Sequence, residues 1–252
     1  MSPILTTAGL SRRFGGIVVA DSIDFSIQPG EVVGLIGPNG AGKTTFFNLL
    51  TGFVTPDAGQ IVFDGERIER LAPNRRAGLG LARTWQSPRL FPSLSVFDNL
   101  LIADREYPGG SLLQTVLRPA KVKAAGAAAA RRAELLLVRV GMEHRADQLA
   151  TRLSYGQQKL IGLARALMNG GKCLLLDEPM AGVSGFLYEK MQQTIRDEAD
   201  RGMAICVVEH NIGFVRELCD RAAFMINGCI VATGSVDSLM ADRRLAALYF
   251  GA

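Results

Sequence analysis

A glycine-rich loop constrains this chain more than any other part of its sequence. Residues Gly37–Thr45 read GPNGAGKTT and match the pattern G-x-x-x-x-G-K-[ST]. The apolar run at 31–36 predicts a buried strand entering the loop, and residues 44–50 predict a helix leaving it. Backbone N–H groups of such a loop surround phosphate oxygens, and the amine of Lys43 reaches the outer phosphates. The loop therefore predicts a nucleotide-binding site, although kinases, GTPases and transporter motors all share the pattern.

Two further predicted strands end in polar residues. The apolar run at 172–176 is followed by Asp177 and Glu178, and the run at 204–208 by a glutamate and His210. A strand that delivers Asp177 beside the loop lets its carboxylate hold Mg²⁺. Glu178, on the opposite side of an extended backbone, can act as a general base toward the attacking water. Alone, such acids also fit a solvated strand end, and a single histidine is more often structural than catalytic.

The remaining patterns indicate the fold class. Short, almost wholly apolar runs are typical of buried parallel strands, and helical spacing separates them. The stretch from about 87 to 170 is helical in character and carries an apolar stripe through Leu135, Leu136 and Val140. This order predicts an α/β sheet core with an inserted helical lobe.

The charge distribution and the apolar runs exclude some classes of protein. The chain has 28 basic and 24 acidic residues, a net charge of +4, and 48% hydrophobic residues, which suits a globular core. The longest apolar runs are strand-sized, too short for a membrane helix, and the N-terminus lacks a secretion-signal pattern. Scattered basic pairs predict solvated surface rather than one nucleic-acid-binding tract. These pairs are Arg12–Arg13, Arg75–Arg76, Arg131–Arg132 and Arg243–Arg244.

One more segment bears on which class of nucleotide-binding enzyme this chain belongs to. Leu153–Gln157 reads LSYGQ and comes directly before a predicted helix. Ser154 suits the N-cap of that helix, and Gly156 leaves backbone N–H groups accessible. In isolation this is an ordinary helix start, so its meaning depends on the motifs around it.

The order of the motifs resembles the ABC ATPase family across nearly the whole chain. The resemblance implies a P-loop NTPase core with a RecA-like mixed sheet, an antiparallel β subdomain and an inserted helical subdomain. Residues 1–252 would form one domain, with the core at 1–86 and 171–252 and the helical subdomain at 87–170. The motifs that carry the resemblance are Gly37–Thr45, Gln86, Leu153–Gln157, Leu174–Pro179 and His210.

The resemblance also implies a set of residues for ATP and Mg²⁺. Phe14 would stack on adenine, and Gln86 would reach metal and water and signal to a membrane subunit. The implied ATP-binding residues are Phe14, Gly37, Pro38, Asn39, Gly40, Ala41, Gly42, Lys43, Thr44 and Thr45. The implied catalytic residues are Glu178, His210 and Gln86, and the metal ligands are Thr44, Gln86 and Asp177. Ser154, Tyr155, Gly156 and Gln157 would contact the ATP of an opposing subunit.

Partners follow from the same resemblance. A second ABC ATPase subunit, identical or paralogous, would form a head-to-tail dimer with this chain. The dimer would hydrolyse ATP to ADP and phosphate on the inner face of the cell membrane, against integral membrane permease subunits. A periplasmic or extracellular substrate-binding protein would supply the substrate, and no nucleic acid is expected. The chain itself would be cytoplasmic and peripheral.

Finer features resemble the ATPases of branched-chain amino acid importers, and related importers of urea or other amides share many of them. Tyr155 is characteristic of that branch, since most ABC proteins have glycine there. Trp85, Ser184 and Asn211 depart from the usual residues, and Ser184 puts coupling between the two ATP sites in doubt. The segments that carry this resemblance are Phe14–Ile17, Asn48–Phe53, Ala82–Gln86, Leu90–Leu94, Leu153–Gln158 and Leu248–Gly251.

Two other functions stay open at this point. An exporter or lipid-extraction motor is slightly favoured by the segments Ala181–Val183 and His210–Asn211. A soluble ABC ATPase that acts on DNA or ribosomes is disfavoured, because the chain has one ATPase unit and no long coiled-coil insertion.

Overall fold

The structure, a computed structural model, describes residues 2–105 and 119–250, with only the backbone of Phe250. Part of the predicted helical region, 106–118, and the end of the segment Leu248–Gly251 lie outside the described residues. The chain divides into two compact units, and the prediction of a single domain over 1–252 stays a prediction. The first unit combines Met1–Arg83, Gly171–Pro179 and Ile195–Ala252, and the second combines Thr84–Gly170 and Met180–Thr194.

Two sheets build the first unit. Their strands are β1 Leu5–Phe14, β2 Ile17–Ile27, β3 Val32–Ile36, β4 Ala58–Phe63, β5 Glu66–Arg67, β6 Leu81–Arg83, β7 Cys173–Asp177, β8 Ala204–Val208, β9 Arg221–Ile226 and β10 Cys229–Gly234. The smaller sheet has the order β2-β1-β4-β5 and its pairs are antiparallel. The larger has the order β10-β9-β3-β8-β7-β6, parallel from β9 to β6 with β10 antiparallel at one edge. The predicted mixed sheet and antiparallel sheet are therefore confirmed.

Besides two 3-10 helices, Glu143–Arg145 and Ala150–Arg152, nine α-helices lie within residues 2–105 and 119–250. They are α1 Lys43–Thr51, α2 Pro73–Leu79, α3 Val96–Leu101, α4 Pro119–Arg139, α5 Tyr155–Leu167, α6 Phe186–Asp200, α7 Ile212–Leu218, α8 Val236–Ala241 and α9 Arg243–Phe250. In the described residues, no helix combines the length and the apolar character needed to span a membrane.

Helix α1 forms the centre of the first unit's core. It follows β3, whose five residues are all buried, and it packs in one apolar cluster with residues of both sheets. The ring of Phe46 meets Phe25 of β2 edge-on, with centroids 5.3 Å apart. Phe46 is fully buried, so truncating it to alanine would cost about 3–5 kcal/mol. The helix that carries the loop lysine is thus held firmly from two sides.

Arg76 corrects one prediction from the sequence. It is only 1% exposed, whereas the pair Arg75–Arg76 was predicted to be solvated, and only Arg75 is exposed. The Arg76 guanidinium donates hydrogen bonds to the carbonyls of Leu49 and Leu50 at 2.6 and 2.8 Å, near the end of α1. It donates two more to the carbonyls of Leu71 and Glu69. Burial lowers the pKa of Arg76 to about 10, which leaves it charged at neutral pH.

The second unit, described by itself, is mainly helical. Helix α4 turns Ala133, Leu136 and Leu137 inward, and Val140, just after its end, is buried as well. Leu135 is 59% exposed, so its place in the predicted apolar stripe was wrong. Residues three and four positions apart share a helix face, and Leu137 belongs to that face where Leu135 does not.

Candidate functional site

Two glycines of the loop allow its close approach to the strands around it. A Cβ on Gly37 would lie 2.0 Å from the carbonyl oxygen of Met225, and one on Gly42 would lie 2.7 Å from that of Val19. Gly42 is also left-handed, with φ +102°, and stands as the N-cap of α1. Side chains at either position would push the loop away from β9 or β2. The packing therefore requires glycine at positions 37 and 42, the same two positions at which the sequence pattern has glycine.

Lys43 is buried at the first position of α1. Its Nζ donates hydrogen bonds to the carbonyls of Gly37 at 2.7 Å and Pro38 at 2.9 Å, so the amine closes the loop on itself. Desolvation by burial lowers the pKa of Lys43, and the nearby charges of Glu178 and Asp177 act in the opposite direction. An anionic ligand in the loop would meet an ammonium that has few competing water contacts.

Asp177 ends β7 in a buried ion pair that the sequence analysis missed. Its Oδ2 accepts a hydrogen bond from Nη2 of Arg83 at 2.9 Å, and both side chains are at most 7% exposed. Nη1 of Arg83 also donates to Oδ1 of Asn48 on α1, at 2.7 Å. The pair therefore ties the end of β7 to the helix behind the loop. Arg83 lies in the segment Ala82–Gln86, which resembles the importer ATPases. Its partner could not be predicted from the sequence, because Asp177 is 94 residues away.

Glu178 and His210 face each other beside the loop. Oε1 of Glu178 lies 3.0 Å from Nε2 of His210. Glu178 has φ +47° and its N–H donates to the carbonyl of Val208, so the expected extended geometry at this residue was wrong. A left-handed residue after the strand turns the carboxylate differently from simple strand alternation. The structure thus places a carboxylate and an imidazole in direct contact.

A cleft of about 500 Å³ brings most of the first unit's predicted residues together. Its wall includes every loop residue from Asn39 to Thr45, together with Glu178 and His210. Exposed apolar side chains of Ile17 and Val18 form another part of the wall. Phe14 is not among the lining residues; it lies at the end of β1, 45% exposed, with the Arg12 guanidinium 4.8 Å from its ring centroid.

The donor types near the loop fit a hard cation. Thr44 lies on the wall of the cleft, whereas Asp177, the residue before Glu178, is buried in its ion pair with Arg83 and is not among the lining residues. Oxygen ligands of these kinds are those that Mg²⁺ takes in proteins. Gln86 belongs to the second unit, where its backbone carbonyl accepts a hydrogen bond from the hydroxyl of Tyr155 at 3.1 Å.

The segment Leu153–Gln157 forms a helix start in the second unit. Oγ of Ser154 accepts from the N–H of Gln157, and Oε1 of Gln157 accepts from the N–H of Ser154, which is a complete capping box. Ser154 and Tyr155 are exposed and Gly156 is buried. The predicted N-cap is confirmed, and an exposed serine stands at the start of α5.

Three residues differ from those usual in the family that the sequence resembles, and the structure explains two of them. Asn211 is the N-cap of α7, and its Oδ1 accepts from the N–H of Phe214. Trp85 stacks with Arg89, whose guanidinium lies 4.0 Å from the indole ring. Ser184 is exposed in the loop that follows Glu178.

The comparisons with known proteins agree with this geometry. The model of the family described as "ABC transporter" matches residues 20–181. The chain belongs to this family. The branched-chain amino acid transport ATP-binding protein LivG of Escherichia coli K12 is 33% identical over 250 residues, covering 99% of this chain and 98% of that protein.

Other ABC relatives are similar to the same degree. The lipopolysaccharide export system ATP-binding protein LptB of Haemophilus influenzae is 32% identical, covering 98% of this chain and 97% of that protein. The solved ADP conformation of MJ1267, an ATP-binding cassette of an ABC transporter, matches with a TM-score of 0.85 at 30% identity over 100% of both chains. The chain is therefore an ABC ATPase subunit of a transporter with a P-loop fold. Residue roles within that site stay predictions.

Proposed function

We propose that this chain hydrolyses ATP to power the import of branched-chain amino acids or of a related amino acid or amide. The observation that carries the enzymatic part is the contact of Glu178 with His210 on the wall of the cleft that also contains Lys43. A base, a second polar group and a phosphate-binding loop on one cleft are what hydrolysis of a phosphoanhydride requires.

The loop and Phe14 bind different parts of the nucleotide. Backbone N–H groups from Asn39 to Thr45 and the N-terminus of α1 take the phosphates, since both present partial positive charge. Lys43 leaves its two carbonyl partners to contact the outer phosphates. Phe14, half exposed at the end of β1, stacks on the adenine.

The hydrolytic step depends on protein groups already in contact. Glu178 accepts a proton from the attacking water as general base, and His210 holds the Glu178 carboxylate and the water in position. Thr44, Asp177 and Gln86 would hold Mg²⁺, which supplies neutralisation of the charge on the phosphate oxygens. Arg83 fixes Asp177 from behind, so that this carboxylate keeps one orientation.

The transport cycle requires partners. Ser154, Tyr155, Gly156 and Gln157 complete the ATP site of a second subunit, identical or paralogous, in a head-to-tail dimer. The dimer works at the inner face of the membrane on integral permease subunits, with a substrate-binding protein supplying the substrate outside. Its closure on ATP and its reopening after hydrolysis drive the permeases.

Export is the second candidate function. It is favoured by the lipopolysaccharide export protein LptB, which is 32% identical, close to the 33% of LivG. The loop Ala181–Val183 and the pair His210–Asn211 fit that alternative as well.

Uptake measurements distinguish the two candidates. Cells that lack the gene are tested for uptake of labelled leucine, isoleucine and valine and of an amide such as urea. Loss of uptake that the wild-type gene restores, and a Lys43→Met gene does not, supports import. Normal uptake together with defective lipopolysaccharide at the cell surface supports export and contradicts the import proposal.

A further inference from the structure

Tyr155 contacts two loops from the first turn of α5. Its hydroxyl donates to the backbone carbonyl of Gln86 at 3.1 Å. Its ring lies over Gly182, where an added Cβ would come within 2.8 Å of the ring carbon Cδ1. Gly182 is left-handed, with φ +73°, so both backbone and space exclude a side chain there. A glycine at position 155 would make neither contact.

The same helix holds the rest of the segment that begins at Gln86. An added Cβ on Gly162 would lie 3.7 Å from the Cβ of Pro88, so the segment runs close to the helix backbone. Nη1 of Arg165 donates to the carbonyl of Arg89 at 2.5 Å. Positions 155, 162 and 165 are separated by about two turns and about one turn, which puts them on neighbouring parts of one helix face. The segment 86–89 is therefore fastened along α5, with Tyr155 at its first residue.

The loop at 180–185 is fastened to the other side of the same turn. An added Cβ on Gly156 would lie 3.4 Å from the carbonyl oxygen of Gly182 and 3.7 Å from Cα of Val183. The first turn of α5 is thus in contact with the Gln86 segment through Tyr155 and with the loop through both Tyr155 and Gly156. Lys159, one turn further on, places its amine 5.6 Å from the centre of the Tyr155 ring.

We propose that Tyr155 is a positioning residue that makes the Gln86 segment and the loop at 180–185 move with the first turn of α5. The proposal rests on the proposed function, in which that turn takes up the ATP of an opposing subunit. A displacement of the turn on nucleotide binding then reaches Gln86 through the Tyr155 hydroxyl and reaches Gly182 through the ring. The hydroxyl is directed to a backbone carbonyl of the same unit, so Tyr155 acts through these loops rather than by chemistry on the nucleotide.

Hydrogen exchange of the full-length chain tests the two connections separately. All proteins carry Glu178→Gln, so that bound MgATP persists, and amide exchange is compared with and without MgATP. In the parent protein we expect ATP to slow exchange at 154–157, at 86–91 and at 181–185. Tyr155→Phe keeps the ring, so the response at 86–91 falls to the part that the proposed contact of Gln86 with Mg²⁺ gives directly, while those at 154–157 and 181–185 remain. Tyr155→Ala weakens both distant responses.

The control is Tyr188→Phe, which removes a phenol hydroxyl from the start of α6 and should leave the responses at 154–157 and 86–91 intact. A response at 86–91 in Tyr155→Phe as large as in the parent protein overturns the positioning role of the hydroxyl. Absence of an ATP response at 154–157 in the parent protein contradicts the proposed function instead, so the two failures are distinguishable. Tyr155→Phe changes one oxygen atom on an exposed side chain, and it keeps the test valid if Tyr155→Ala does not fold.

Discussion

Nε2 of His210 lies 3.0 Å from Oε1 of Glu178, although 32 residues separate them in sequence. The contact exists because Glu178 directly follows β7 and His210 comes two residues after β8, and these strands are parallel neighbours in the larger sheet. Parallel neighbours end at the same edge, which is where α/β sheets bind their ligands. The sheet topology therefore brings the proposed base to the loop and gives it a fixed partner.

Replacing Glu178 with glutamine should stop hydrolysis and leave ATP binding intact. The amide keeps the size of the side chain but cannot accept the proton, so we expect the turnover rate to fall about 10²- to 10⁴-fold. Phosphate release and equilibrium binding of MgATP measure the two effects. Glu66→Gln, at an exposed acid on β5, is the matched control and should behave as wild type. Full turnover by Glu178→Gln would remove Glu178 from the role of base.

Lys43→Met should separate nucleotide binding from folding. The substitution removes the desolvation cost of a buried ammonium, but it also takes the hydrogen-bond donor away from the carbonyls of Gly37 and Pro38. The two effects oppose each other, so the free protein should melt close to wild type. The rise in melting temperature that MgATP gives the wild type should disappear, since the phosphates lose their ammonium. Thermal unfolding with and without MgATP measures both. A nucleotide-induced rise of wild-type size would show that Lys43 does not contact the phosphates.

Tyr249→Phe should slow hydrolysis without weakening ATP binding. The hydroxyl of Tyr249, on α9, donates to the backbone carbonyl of His210 at 2.6 Å, and its ring packs edge-on against Phe224 with centroids 6.1 Å apart. If the lost hydrogen bond raises the activation free energy by about 1 kcal/mol, kcat should fall about fivefold, and KM for ATP should stay unchanged.

Tyr249→Leu separates the hydrogen bond from the packing. It also removes the ring, so we expect a lower melting temperature in addition to the slower rate. If Tyr249→Phe keeps the wild-type kcat, the hydroxyl does not position His210.

The sequence predicted those parts of the site that short motifs encode. The loop at 37–45, the strand before Asp177 and the capping role of Ser154 each depend on residues within about ten positions of one another. Their geometry follows from local backbone chemistry, such as a glycine without a Cβ or a serine that caps a helix.

The parts that were missed depend on polar contacts between distant residues. Arg83 contacts Asp177, 94 positions away, and Tyr249 contacts His210, 39 positions away. Arg76 donates to the carbonyls of Leu49 and Leu50, which are 27 and 26 positions away in helix α1. A basic residue in a polar segment carries no periodic signal that it will be buried, because its partners are backbone carbonyls present in every sequence. The left-handed turn at Glu178 likewise left no residue-type signature, since glycine would be the usual sign.

Arg76→Met should destabilise the protein strongly, whereas Arg75→Met should not. The change leaves the carbonyls of Leu49, Leu50, Leu71 and Glu69 without their guanidinium partner, at about 1–3 kcal/mol for each buried unsatisfied group, partly offset by removal of a buried charge. We expect a net loss of about 3 kcal/mol, a fall in melting temperature of roughly 6–12 °C. Arg75 is exposed, so its variant should unfold like wild type. Equal melting temperatures of the two variants would contradict the structural role of Arg76.

Mixing two defective subunits should restore ATP sites if each site is shared between chains. In a Glu178→Gln background, Lys43→Met spoils the loop and Ser154→Arg spoils the opposing serine, so neither variant alone retains MgATP after rapid gel filtration. In a mixed head-to-tail pair both defects fall in one site, and the other site combines an intact loop with an intact Ser154. Random pairing makes half of the dimers mixed, each with one good site of two, so we expect about a quarter of the ATP retained by the unmixed Glu178→Gln protein. A mixture that retains no more ATP than its components, when the background protein retains it well, would show that Ser154 does not complete the site of an opposing subunit.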